Sequence, residues 1–205
     1  MTTMTIKMLL AGLTALALLV SAQADITVKK SDVIEGKYSY VISYDDMAET
    51  APKIAKDASI FSNFIVVNEK GKDAMRLLTP NPVEATASLT LVFDFTSTGG
   101  APVRALIADR LFLFASENKS VISTSYSFDN SSWTLLKRAT AEAAAVAPAK
   151  VDIQTRENEP ISIPDGVSRF FYRVEVKDNA MYSYKSQWGR SGLNSTPFRI
   201  VFDIK

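Results

Sequence analysis

The amino-acid sequence predicts an all-β fold, an antiparallel β-sandwich, on three observations. Three segments alternate apolar with other side chains: Leu89, Leu91, Phe93 and Phe95 against Ser88, Thr90, Val92 and Asp94; Phe170, Tyr172, Val174 and Val176 against Phe171, Arg173, Glu175 and Lys177; and Phe198, Ile200, Phe202 and Ile204 against Arg199, Val201 and Asp203. A period of two is that of a strand with one face on a core and the other turned outward. Turn-forming stretches, Ser97-Thr98-Gly99-Gly100 and Pro164-Asp165-Gly166 among them, punctuate these strands as antiparallel connections do. No Cys occurs in the 205 residues, so no disulfide holds the fold, and the chain has to stabilise itself with an apolar core.

In chain order, the first element is a leader. Lys7 supplies a positive charge, residues 8–20 are apolar apart from small residues such as Gly12 and Thr14, and Ser21-Ala22-Gln23-Ala24 ends in the small-x-small pattern of signal-peptidase substrates. The run falls short of the ~20 apolar residues of a membrane span. Cleavage is therefore expected after Ala24, giving a signal peptide (residues 1–24) and a single β-sandwich domain (residues 25–205) with no transmembrane segment. Besides the three alternating segments, strands are expected at 26–28, 38–44, 64–67, 111–114, 121–128, 133–136 and 151–155. Two segments break the period. Residues 45–56 read as a short helix or a loop, and residues 139–149 carry helix formers up to Pro148.

Charge and composition exclude several functions. Without Lys7 the 23 basic residues become 22, against 22 acidic ones, so the chain after the leader is formally neutral. No basic cluster along the sequence points to nucleic acid or an anionic membrane surface. The absence of His and Cys removes the commonest general base, the commonest zinc ligand and thiol chemistry. A hydrolase with two carboxylates stays chemically open. Nothing in the order of Asp94, Glu142, Glu157, Glu159 and Asp203 marks such a pair, and each reads as an outward strand or loop position. No catalytic residue is assigned, and a non-catalytic protein is the better reading. Asp45-Asp46, or Asp129 with Asn130, would supply oxygens to a structural calcium ion; no other cofactor is expected. Asn118-Lys119-Ser120, Asn130-Ser131-Ser132 and Asn194-Ser195-Thr196 fit the N-glycosylation acceptor and read as polar loop residues.

The stretch SYSFDNSSWTLL, residues 125–136, reads as a hairpin. Tyr126 and Phe128 share a face with Ile122 and Thr124, residues 129–132 supply the turn, and Trp133 with Leu135 resumes the alternation. Ser127-Phe128-Asp129-Asn130-Ser131-Ser132-Trp133 resembles the S-x-D-G-x-x-W hairpin of galactose-binding-like and related carbohydrate-binding β-sandwiches, with Asn130 in place of the Gly. Asn is the residue that best follows Gly into the left-handed region. Residues 163–174, IPDGVSRFFYRV, are similar to the approach to a late core strand in exported jelly rolls. The resemblance covers residues 89–205 and implies a jelly-roll-like sandwich in which Trp133 packs in the core.

The candidate ligand site lies elsewhere, in residues 178–197, DNAMYSYKSQWGRSGLNSTP. A long polar loop between two strong strands is a common place for function. This one carries Tyr182, Tyr184 and Trp188 beside Gln187, Arg190 and Asn194. Flat apolar rings fit the C–H face of a sugar, and the polar groups fit its hydroxyls. The expected function is thus that of an exported carbohydrate-binding module, secreted, periplasmic or at the cell surface, with a polysaccharide as partner. The second class is a structural or adhesive subunit of an extracellular or envelope assembly, which would self-associate.

Overall fold

A computed structural model describes residues 25–42, 53–68, 76–80, 86–115, 120–141, 149–155, 160–178 and 198–205. Among them are thirteen strands: β1 (Ile26–Lys29), β2 (Lys37–Ile42), β3 (Ala58–Ser62), β4 (Phe64–Asn68), β5 (Arg76–Pro80), β6 (Thr86–Ser97), β7 (Pro102–Ala115), β8 (Ser120–Ser127), β9 (Thr134–Ala141), β10 (Ala149–Thr155), β11 (Ile161–Ser162), β12 (Arg169–Asp178) and β13 (Phe198–Ile204). The expected all-β sandwich is the observed architecture. One sheet runs β1-β6-β12-β8-β9, with β3 also on β6; the other runs β10-β7-β13-β2, with β11 also on β7; β4 and β5 pair separately. Every pairing is antiparallel except that of β1 with β6. The chain changes sheet between β1 and β2, β2 and β3, β6 and β7, β7 and β8, β9 and β10, β11 and β12, and β12 and β13, the sheet-crossing connectivity of a jelly-roll-like sandwich.

The inward sets of the three alternating segments meet in the middle. Phe202 of β13 lies 4.7 Å from Phe95, 5.1 Å from Phe93 and 5.2 Å from Phe170, centroid to centroid, so one ring joins both sheets. Tyr40 of β2 adds an edge contact to Phe93 at 5.4 Å. Leu89, Leu91, Tyr172, Ile107 and Ile200 complete the buried layer. Such offset and edge-on aromatic pairs add to the burial of the rings themselves.

Several elements depart from the sequence expectation. Residues 139–141 belong to β9 and Ala149 opens β10, so the helix expected over 139–149 is overruled at both its ends. Their backbones pair with β8 and β7, and ladder bonds outweigh the weak preference of Ala for helix. β7 runs far beyond the expected 111–114. Arg104, Ala105, Ala108 and Arg110 hide it in the sequence, but β13, β10 and β11 together supply its partners. Residues 53–57 are helical and overlap the end of the segment 45–56 read as helix or loop, whose residues 45–52 lie outside the described residues; Asp57 accepts a hydrogen bond from the Tyr40 hydroxyl at 2.8 Å and pairs with Lys53. Burial, with Asp57 beside it, pushes the Tyr40 phenol well above its ordinary range, so it stays a neutral donor. The leader, residues 1–24, lies outside the described residues.

The ends of the sandwich are closed by backbone. Ala101 and Lys205 exchange hydrogen bonds of 3.1 and 3.0 Å. A Cβ on Gly100 would fall 1.8 Å from the Lys205 carbonyl oxygen, so only glycine fits this crossing.

Phe202→Ala should destabilise the protein by about 3–5 kcal/mol, the cost of a buried aromatic truncation. Chemical denaturation of the variant beside the parent measures it. A loss under about 1 kcal/mol would mean that Phe202 is not the joint between the sheets.

Candidate functional site

The hairpin of residues 125–136 is built by its turn. The Ser127 hydroxyl accepts the amides of Asp129 (3.2 Å) and Asn130 (3.0 Å) and donates to Asp129 Oδ1 at 2.9 Å. The same Oδ1 accepts the amides of Ser131 (2.8 Å) and Ser132 (2.7 Å). Asn130 has φ 62°, the left-handed position expected from its place in the motif. These backbone and hydroxyl donors hold the exposed Asp129 carboxyl well below the usual carboxylate range. Ser-x-Asp here is turn chemistry. On the inner side Tyr126 stacks on Phe170 at 5.8 Å and Phe128 meets the same ring at 6.0 Å, so this half of the hairpin closes the fold.

Trp133 does something else, and its expected core position is corrected. The ladder pairs Tyr126 with Thr134 and Ser125 with Leu135. The next step of that register sets Trp133 opposite Ser127, on the outer face. A turn one residue different in length would have turned the indole inward, because a slip of one residue exchanges the faces of a strand. Leu135, two residues on, is 56% exposed. Trp133 is half-buried, and the Arg173 guanidinium lies over its ring, 3.9 Å from the centroid.

The outer face around this stack is ordered in rows. Thr90, Arg173, Ser125 and Leu135 stand side by side on β6, β12, β8 and β9, and the next row is Ser88, Glu175, Ser123 and Arg138. Toward the turn, Val92, Phe171 and Ser127 form a third. Phe171 is 8% exposed although it points away from the core, so this part of the outer face is itself covered. Thr90, Ser125 and Ser127 are buried hydroxyls. Arg173 Nη2 lies 3.4 Å from Glu175, and its Nε is buried with no acceptor in bonding distance among the described residues. An indole, a guanidinium, a carboxylate and a set of hydroxyls thus share one sheet face. Of these groups Trp133, Arg173, Glu175 and Ser123 are only partly buried and can meet a polar ring, whereas the hydroxyls of Thr90, Ser125 and Ser127 are closed off from it.

No pattern along the sequence marks this group. Arg173, Glu175, Ser123 and Ser125 look like ordinary outward strand positions, and only the ladder brings them together with Trp133. The loop residues Tyr182, Tyr184, Gln187, Trp188, Arg190 and Asn194 lie outside the described residues, as do Asp45, Asp46, Glu142, Glu157 and Glu159. Asp94 and Asp203 are each taken up by an ion pair on a different sheet. Asp94 accepts from Arg169 at 3.2 Å and from the Thr96 hydroxyl at 2.7 Å, while Asp203 pairs with Arg104. Burial raises the Asp94 carboxyl, and the bonds from Thr96 and Arg169 outweigh it and leave the group below its usual value. Among the described residues no group of three or more acidic side chains converges on one point. No helix among them is long and apolar enough to cross a membrane. An open depression of about 360 Å³ at one end of the sandwich is lined by Phe95, Gly99, Gly166 and Ser168, with no charged side chain in its wall.

No family model and no curated protein matches the chain. Solved structures that resemble it include the tryptic core of a Bacillus thuringiensis Cry1Da variant, at 15% identity and TM-score 0.35 over 88% of this chain and 25% of that one. The chain therefore spans a quarter of the toxin core. A family 28 carbohydrate-binding module described as specific for non-crystalline cellulose gives 10% identity and TM-score 0.31, over 89% of this chain and 98% of the module. A family 61 module in complex with β-1,4-galactotriose gives 10% identity and TM-score 0.29, over 85% of this chain and 90% of the module. The resemblance to carbohydrate-binding modules is weak.

The Asp129 turn sets an acid dependence. Its folded carboxyl is held below the ordinary 3.8, so the unfolded chain takes the proton first on acidification. The stability it contributes is complete above that value and is lost as pH falls below it. Asp129→Asn, which keeps the acceptor oxygen, should flatten the fall in melting temperature between neutral pH and about pH 3. A profile as steep as the parent's would show that the loss arises at other carboxylates.

Proposed function

We propose that the chain is an exported, non-catalytic glycan-binding protein of the carbohydrate-binding-module kind. The observation that carries this reading is Trp133, half-buried on an outer sheet face with the Arg173 guanidinium over its ring and the partly buried Ser123 and Glu175 nearby. A sugar meets an aromatic ring with its C–H face and polar groups with its hydroxyls when both lie on one surface, and the strand register sets Trp133, Arg173, Glu175 and Ser123 on one face in support of this reading. A rigid sheet is also a better platform than a free loop, since little side-chain freedom is lost on binding.

The aromatic segment containing Tyr182, Tyr184 and Trp188 extends this reading. It follows β12 directly, and Asp178, the last residue of that strand, is five positions from Arg173. Trp133 and the Tyr182–Asn194 segment are therefore proposed as two contacts for one chain of sugars, with Gln187, Arg190 and Asn194 supplying hydrogen bonds.

A glycan array followed by calorimetry tests this. Trp133→Ala should weaken binding by about tenfold or more while costing only about 1–2 kcal/mol of stability, because the ring leaves a cation–π contact and not a packed core. Trp188→Ala should weaken binding with the melting temperature unchanged. No glycan bound by the parent, or full affinity in both variants, would overturn the reading.

A further inference from the structure

We propose, on the basis of that reading, that the outer face of the first sheet selects an anionic polysaccharide, one bearing carboxylates as uronic acids do, through Arg173. Two observations carry the charge preference. The first is the state of Arg173. Its guanidinium lies against Trp133, its Nε is buried without an acceptor among the described residues, and its contact with Glu175 is a 3.4 Å approach from Nη2. Arginine presents five donors in a planar fork suited to a carboxylate, and the partly exposed Nη end of this one, 25% exposed as a side chain, is where a carboxylate would be met.

The second is the arrangement of charge around it. Lys177 stands two residues along β12 from Glu175 on the same face, about 7 Å away, and Arg138 stands two strands across in the row of Glu175, about 10 Å away. Three cations thus stand around one carboxylate in these rows, on a chain whose formal net charge is only +1. They are scattered over positions 138, 173 and 177, and only the β8–β9 and β8–β12 registers assemble them. Glu175 then has a definite role. It partly neutralises Arg173 when the face is empty, and a uronate carboxylate would compete with it for the guanidinium.

An unmodified oligogalacturonate and its methyl ester are the probes, since they share one sugar backbone and differ in charge. Calorimetry at low salt should give an acid form bound about tenfold more tightly than the ester, the worth of a charge-assisted hydrogen bond. That preference should vanish in about 0.5 M salt and in Arg173→Gln. Glu175→Gln should instead tighten the acid form, a gain that a merely folded-state effect would not produce. Equal affinity for acid and ester, or binding confined to neutral oligosaccharides on the same array, would overturn the charge selection and leave the glycan-binding reading standing. Failure of every oligosaccharide, charged or neutral, would remove both.

Discussion

The contact of Phe202 with Phe93, Phe95 and Phe170 is the constraint on which the other features rest. With no disulfide in the chain, the two sheets stay face to face only through buried side chains, and this ring touches three partners across the interface. A strand has two faces, and filling one determines what the other must carry. Once Phe170, Tyr172, Val174 and Val176 are inside, Phe171, Arg173, Glu175 and Lys177 have no choice but to stand outside. The position of Arg173 is a consequence of the core.

The turn after β8 supplies the second half of the same argument. Ser127 and Asp129 gather four backbone amides and one hydroxyl bond between them, which fixes the length and shape of the loop. Loop length decides register, and register decides whether the indole of Trp133 faces Phe170 or Arg173. Asp129 therefore acts on the outer face without touching it. A shift in β9, where Thr124 pairs with Lys137 and Ser125 with Leu135, leaves Leu136 as an extra residue that packs against the core while Leu135 stays exposed.

Much of this architecture was legible in the sequence, and the limits have physical causes. Alternation located β6, β12 and β13 because each has one fully apolar face. It undervalued β7, whose Ala105 and Ala108 are small enough to carry no strand signature, and it read Ala-rich residues 139–141 as helical because propensity does not register a neighbouring strand. The left-handed backbone of Asn130 was readable from its place in the motif. Trp133 was not readable, because a single residue of loop length inverts its side and no local pattern reports that. The outer rows were invisible for a related reason: Thr90, Ser125, Arg173 and Arg138 come from four strands and become neighbours only through pairing.

Arg173 also shows why such a face is unlike a passive surface. Its buried Nε has no acceptor among the described residues, an arrangement that costs about 1–3 kcal/mol, and an aliphatic side chain in the same row would cover Trp133 without that cost. The cation–π contact with Trp133 offsets only part of that cost. Local rules of polar satisfaction tend to be broken where a molecule needs a group held ready, with the stability supplied by other parts of the fold. In this sandwich that stability comes from the Phe202 cluster on the inner face of the same strands, so the layer that closes the core also permits an underused cation on the layer outside it.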